Sequence, residues 1–139
     1  MPMERNVNQE VFRRWLIGYP VDFIQLGEFL NAFPEAKVCQ RMWKGLAFKH
    51  YPKESEVTEA VFSSWSINED TARYFAGHEK YGFLLYGVNE GYSVEKILKI
   101  LSDEGVILDS LKSYNSKRED EVIAPINPKN LRIKRVGLY

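Results

Sequence analysis

The sequence predicts an α+β fold, and three observations carry that reading. Two segments with apolar residues at helical spacing come first, and a strand-rich half follows. The later helical patterns interrupt that half singly instead of alternating with every strand. A doubly wound sheet would need regular alternation of strands and helices.

At 139 residues the chain suits one domain, spanning 1–139, with a helical lobe over 1–35 and a strand-rich core over 36–139. In the lobe, residues 8–17 put Val11, Phe12, Trp15 and Leu16 on one helical face; Asn6 or Asn8 can cap it, and Gly18 with Pro20 ends it. Residues 21–32 read as a second helix with Phe23, Leu26, Phe29 and Leu30 inward, closed by Pro34.

The period then changes. Residues 37–48 alternate imperfectly and predict a strand, 49–58 a polar loop, and 59–64 a short strand. Ser66 and Glu69 have the spacing of a capping box, which predicts a helix opening at Ser66, running through Ala76 and stopped by Gly77. Residues 83–88 predict a strong strand and 94–101 a short helix with Val94, Ile97, Leu98 and Leu101 inward. Residues 106–108 are apolar and 111–118 read as a polar loop. Residues 122–124 predict a strand stopped by Pro125, and 131–136, alternating apolar and basic, a half-exposed last strand.

Composition narrows the function classes. Acidic and basic residues balance at 19 each, so bulk attraction to nucleic acid or a membrane surface is not expected. The stripe of Arg132, Lys134 and Arg135 reads as the solvated face of an edge strand. Cys39 is the single cysteine, and His50 and His78 are the only histidines, so neither an intramolecular disulfide nor a zinc site is expected. The N-terminus lacks the apolar run of a signal peptide, and no stretch has the roughly 20 apolar residues of a membrane helix. These features lead to the expectation of a cytoplasmic protein in a reducing compartment.

Three patches could carry chemistry, and each also has a plain structural explanation. In Phe62-Ser63-Ser64-Trp65-Ser66, serines crowd a strand end where serine is a poor choice. Ser66 as helix cap explains one of them; a ledge of hydroxyls for a polar ligand would explain the rest. In the run from Lys117 to Pro125, Glu119 and Glu121 lie two apart and would share a strand face, with Asp120 opposite. One such carboxylate can stabilise a developing cation and the other take a proton, or the run is merely solvated charge. In Arg41-Met42-Trp43-Lys44-Gly45-Leu46, a cation followed by a glycine that admits a ligand to the backbone suits a phosphate; a surface lysine beside a turn is the alternative.

Taken in this order, the patches resemble the arginine–serine–glutamate class of ADP-ribosyltransferases, most closely the small protein-modifying transferases of tailed phages. The resemblance rests on Trp43-Lys44-Gly45, on Ser64-Trp65-Ser66 with Ala72-Arg73-Tyr74-Phe75-Ala76 behind it, and on Glu119-Asp120-Glu121 leading into Val122-Ile123-Ala124-Pro125. It spans roughly residues 38–136. It implies a split β-sandwich with NAD, the co-substrate, in the cleft between two sheets, and transfer of ADP-ribose to a side chain of a target protein, a host protein in the case of a phage.

Residue by residue, the resemblance implies that Ser64 orients Glu121, that Glu121 stabilises the cation left as nicotinamide departs, and that Glu119 polarises an incoming arginine. Lys44, Gly45, Ser64 and Ser66 would contact NAD, Ser66 doing no more than capping a helix in the plainer reading. Tyr114 would recognise the target, or be an exposed loop tyrosine. The chain departs from the pattern at Lys44, where the family has arginine. A point charge replaces a planar fork. Two readings follow: an enzyme with weakened NAD grip, or a catalytically inactive binding module that inhibits or sequesters a partner.

Overall fold

The computed structural model describes residues 8–52, 60–105, 120–127 and 131–136. Among them it has four α-helices and a five-stranded antiparallel sheet, a mixed α+β architecture.

Helix α1 (Gln9–Ile17) is capped by Asn8, whose side chain accepts from the Val11 N–H at 3.2 Å, and ends at Gly18 in the left-handed region with φ 84°. Helix α2 (Phe23–Asn31) is capped by Asp22, and Pro34 opens a single 3₁₀ turn, Pro34–Ala36. Strand β1 (Lys37–Phe48) follows as the alternation predicts. Then come β2 (Ala60–Ser66), α3 (Glu69–Ala76), β3 (Tyr81–Ser93), α4 (Val94–Asp103), β4 (Glu121–Ile126) and β5 (Arg132–Val136).

The strand order is β1-β2-β4-β3-β5, and β1 also pairs with β3 along its whole length, from Lys37↔Tyr92 to Phe48↔Tyr81. Four strands therefore close into a ring. Two of the seams are short: Trp43↔Ser66 joins β1 to β2, and Tyr92↔Ile123 with Ser93↔Val122 joins β3 to β4. Every strand of the ring contributes to one buried cluster, through Met42, Trp65, Leu85, Val122, Ala124 and Ile126.

The helices pack outside. Val11, Phe12, Leu16, Leu26, Phe29, Leu30 and Phe33 form a second core with Val94, Ile97 and Leu101 of α4 and with Ile123. The rings of Phe12 and Phe29 stack at 4.7 Å. Each fully buried large apolar side chain contributes roughly 1.5–3 kcal/mol, so the helical lobe is stable through sharing its core with α4 and β4. Helix α3 packs separately, through Ala72 and Ala76, on Leu84, Val136 and the half-buried Trp43.

Four local expectations are corrected. Phe23 is 43% exposed, because α2 starts at it and its ring lies edge-on to Phe62 instead of in the core. Strand β2 runs through Ser66, and the cap of α3 is Asn68, whose side chain accepts from the N–H groups of Asp70 and Thr71. Ser66 is displaced from that role: its Oγ accepts from the Asn68 N–H at 3.0 Å, while Glu69 pairs with Arg73 at 2.7 Å. Strand β3 is far longer than 83–88, since pairing with β1 carries it on to Ser93. Pro125 lies inside β4 rather than stopping it. The β2–β4 register slips between Ala60 and Ser63, so the missing N–H falls where the ladder is already interrupted.

Candidate functional site

Antiparallel pairing of β2 and β4 puts Ser66 opposite Glu121 and Ser64 on the diagonal from it. Both serines and the glutamate thus reach one side of this two-strand unit. A cavity of about 600 Å³ opens there, lined among others by Lys44, Ser64, Ser66, Thr71, Phe75 and Glu121. That volume is in the range of small-molecule sites. Trp43 and Trp65 stand in its walls and leave it open.

Glu121 is the most deeply placed acid of the site, at 4% exposure. The indole N–H of Trp15 donates to its Oε2 at 3.0 Å, and the Ser64 hydroxyl hydrogen-bonds to the same carboxylate. Burial pushes its pKa above the ordinary carboxylate value; the bonds from Trp15 and Ser64 and the charge of Lys44 pull it part of the way back. Lys44 comes from the same face of β1 as Met42, and its Nζ donates to the Ser64 carbonyl oxygen at 2.9 Å. Burial lowers its pKa to about 8, with the Glu121 charge opposing the fall. At neutral pH the lysine therefore remains mostly protonated. The pair is an acid made easier to protonate beside a base made easier to deprotonate, an arrangement typical of sites that do chemistry.

The structure brings Lys44, Ser64, Ser66 and Glu121 together. Gly45 lines the same cavity and has a packing role as well. A Cβ on Gly45 would collide with the Ala72 carbonyl oxygen and come within 2.8 Å of the Ala76 nitrogen. The glycine admits α3 to the sheet, a packing reason for its place in β1 that the ligand reading did not include. Arg41 is exposed, three positions from Lys44 and on the other face of β1, as strand geometry requires.

No family model, curated protein or solved structure matches the chain.

Glu119 and Tyr114 lie outside the described residues; strand β4 begins at Glu121, after a turn at Asp120. Among the described residues no group of three or more His, Cys, Asp or Glu could hold a metal ion, and no helix is long and apolar enough to cross a membrane. The residue that sequence reading missed is Trp15, taken only as part of a core face. Its only signal was general: an indole on an otherwise apolar helix face has an N–H that seeks an acceptor elsewhere.

Proposed function

We propose that this protein is a mono-ADP-ribosyltransferase that moves ADP-ribose from NAD to an arginine side chain of a target protein, a host protein in the cytoplasm if the chain serves a phage. The observation that carries the reading is Glu121: a buried carboxylate, fixed by Trp15 and Ser64, on the wall of an open cavity. A carboxylate so held can stabilise positive charge in a water-poor site, the largest single catalytic effect in many enzymes.

In the reaction the bond between nicotinamide nitrogen and ribose C1′ breaks, and nicotinamide leaves with the electron pair. The oxocarbenium-like ribose is stabilised by ionised Glu121. A guanidinium nitrogen of the target then bonds to C1′ and loses its proton, with Glu119 the expected acceptor. Lys44, in the cavity wall, supplies positive charge for the pyrophosphate, and Ser66 a hydroxyl in the same wall. The finer fold belongs to this proposal as well. Two short seams divide the ring into a β1-β3-β5 half and a β2-β4 half with a core between, an arrangement consistent with a split β-sandwich of the ADP-ribosyltransferase kind.

One observation favours the second reading, an inactive binding module. The Lys44 ammonium is engaged internally, by the Ser64 carbonyl and the Glu121 charge. Incubation of the purified protein with labelled NAD and a cell lysate separates the two. Labelled protein that disappears with Glu121→Ala supports the transferase; no labelling and no nicotinamide release at millimolar NAD would leave the binding module. Glu119→Ala adds the acceptor test, with transfer lost and some NAD hydrolysis retained.

A further inference from the structure

We propose that Trp15 is a positioning residue for Glu121, through which the N-terminal helical lobe holds the carboxylate in its working orientation. This rests on the transferase reading and assigns part of that site to a helix outside the strands that build it.

The two residues are 106 positions apart, and the bond joins the indole Nε1 to Oε2 at 3.0 Å. Local folding cannot bring such groups together, so the contact exists only when α1 is docked. The docking is firm. Val11, Phe12 and Leu16, which flank Trp15 on the helix, are at most 2% exposed and pack with α2 and α4. Ile123, the next residue on the Glu121 face of β4, belongs to that same core. The lobe thus grips β4 immediately beside the glutamate and then adds one directed hydrogen bond to it.

The chemistry of the donor suits the task. An indole N–H only donates, and it cannot take a proton from the carboxylate or lose its own at working pH. It favours the ionised form of Glu121, and it is the largest of the influences pulling that carboxyl down against burial. Ser64 approaches the same carboxylate from the neighbouring strand. A donor from the helix and one from the sheet fix the rotation of the carboxylate plane better than either alone.

The test is Trp15→Phe, which keeps an aromatic ring and removes the N–H. The Glu121 carboxyl is followed by carbon NMR through a pH titration, and NAD hydrolysis is measured across the same range. The expected result is a Glu121 titration moved to higher pH. The acidic limb of the hydrolysis profile should move with it, and kcat should fall by roughly tenfold to a hundredfold with KM for NAD little changed. An unmoved carboxyl titration in folded Trp15→Phe overturns the proposal, even if hydrolysis falls, and so does undiminished kcat.

Absence of hydrolysis in the unaltered protein would instead remove the transferase reading, and the carboxyl titration would still decide whether Trp15 governs Glu121. Should Trp15→Phe fail to fold, the Trp15 indole proton gives the answer in Glu121→Gln. A marked upfield move of that resonance relative to wild type supports the bond, and an unchanged resonance overturns it.

Discussion

The amino group of Lys44 donates to the main-chain oxygen of Ser64 at 2.9 Å. This bond ties the strand expected to grip phosphate to the strand expected to orient the glutamate. It crosses a seam where β1 and β2 share only the Trp43↔Ser66 pair, so the lysine acts as part of the closure of the ring. The same ammonium has donors to spare for an anion.

The first prediction concerns Lys44 and pH. Its pKa is lowered to about 8 by burial, so the free protein loses this cation as pH rises through that value. NAD affinity, measured by calorimetry, should be flat below about pH 8 and fall by roughly tenfold per pH unit above it. Lys44→Arg should remove that fall, because guanidinium stays charged, and should tighten binding at neutral pH by about tenfold through a second charged hydrogen bond. Equal pH dependence in both proteins would mean that Lys44 does not meet the ligand. Stability has its own sign. Between about 8 and the ordinary 10.5 the unfolded chain binds the extra proton, so the Lys44 contribution makes stability rise with pH across that window.

The second prediction is the coupled behaviour of Glu121→Gln. NAD hydrolysis and protein labelling should both vanish. The Lys44 side chain should titrate below about 8, since the Glu121 charge is what resists the effect of burial on it. The stability difference should also drift with pH. The folded-state pKa of Glu121 is raised, so its contribution is fully present below the ordinary carboxylate value and is lost as pH rises through the folded value. Glu121→Gln carries no such loss. Its melting temperature relative to wild type should climb from acid to neutral pH, and a constant difference would contradict the raised pKa.

The third prediction separates the two residues that compete to cap α3. Asn68→Ala removes an acceptor used by two N–H groups and should cost about 1 kcal/mol. Ser66→Ala removes a single bond, to the Asn68 N–H, and should cost less. Urea midpoints of both variants, with unchanged slope, give the comparison; the reverse order would restore the capping box.

Much of this architecture was legible in the chain because its signals are local. Apolar spacing gave α1, α2 and α4, with Asn8 and Gly18 marking the ends of α1. The alternation in residues 37–48 gave β1. Lys44, Ser64, Ser66 and Glu121 are nominated through the family resemblance of three patches that are each weak alone, and the strands do bring them together. What could not be read are contacts between distant segments. The length of β3 depends on β1, and the tolerance of Pro125 on a slip against β2. The Trp15 bond needs a helix and a strand 106 residues apart. The capping box failed for a related reason: β2 extends to Ser66 by pairing with Glu121, which carries the cap on to Asn68.

Gly45 gives the last prediction, because its two explanations part cleanly. If the glycine served ligand approach, a methyl group there would point into free space, and Gly45→Ala would block NAD while leaving stability within about 0.5 kcal/mol of wild type. The structure fills that space with α3. The Ala72 carbonyl oxygen lies where the methyl would go, and the Ala76 nitrogen is 2.8 Å away. Both are backbone atoms of a helix and cannot rotate aside, unlike the end of a flexible side chain. Gly82, on the neighbouring strand, meets the Ala76 carbonyl oxygen in the same way, so the helix is seated over two glycines at once. Gly45→Ala must therefore lift α3 or strain β1, at a cost on the order of 3 kcal/mol. Because α3 also supplies Thr71 and Phe75 to the cavity wall, NAD affinity should fall together with stability. Urea denaturation and calorimetry on the same preparation check both halves; lost NAD binding at undiminished stability would return the glycine to the ligand.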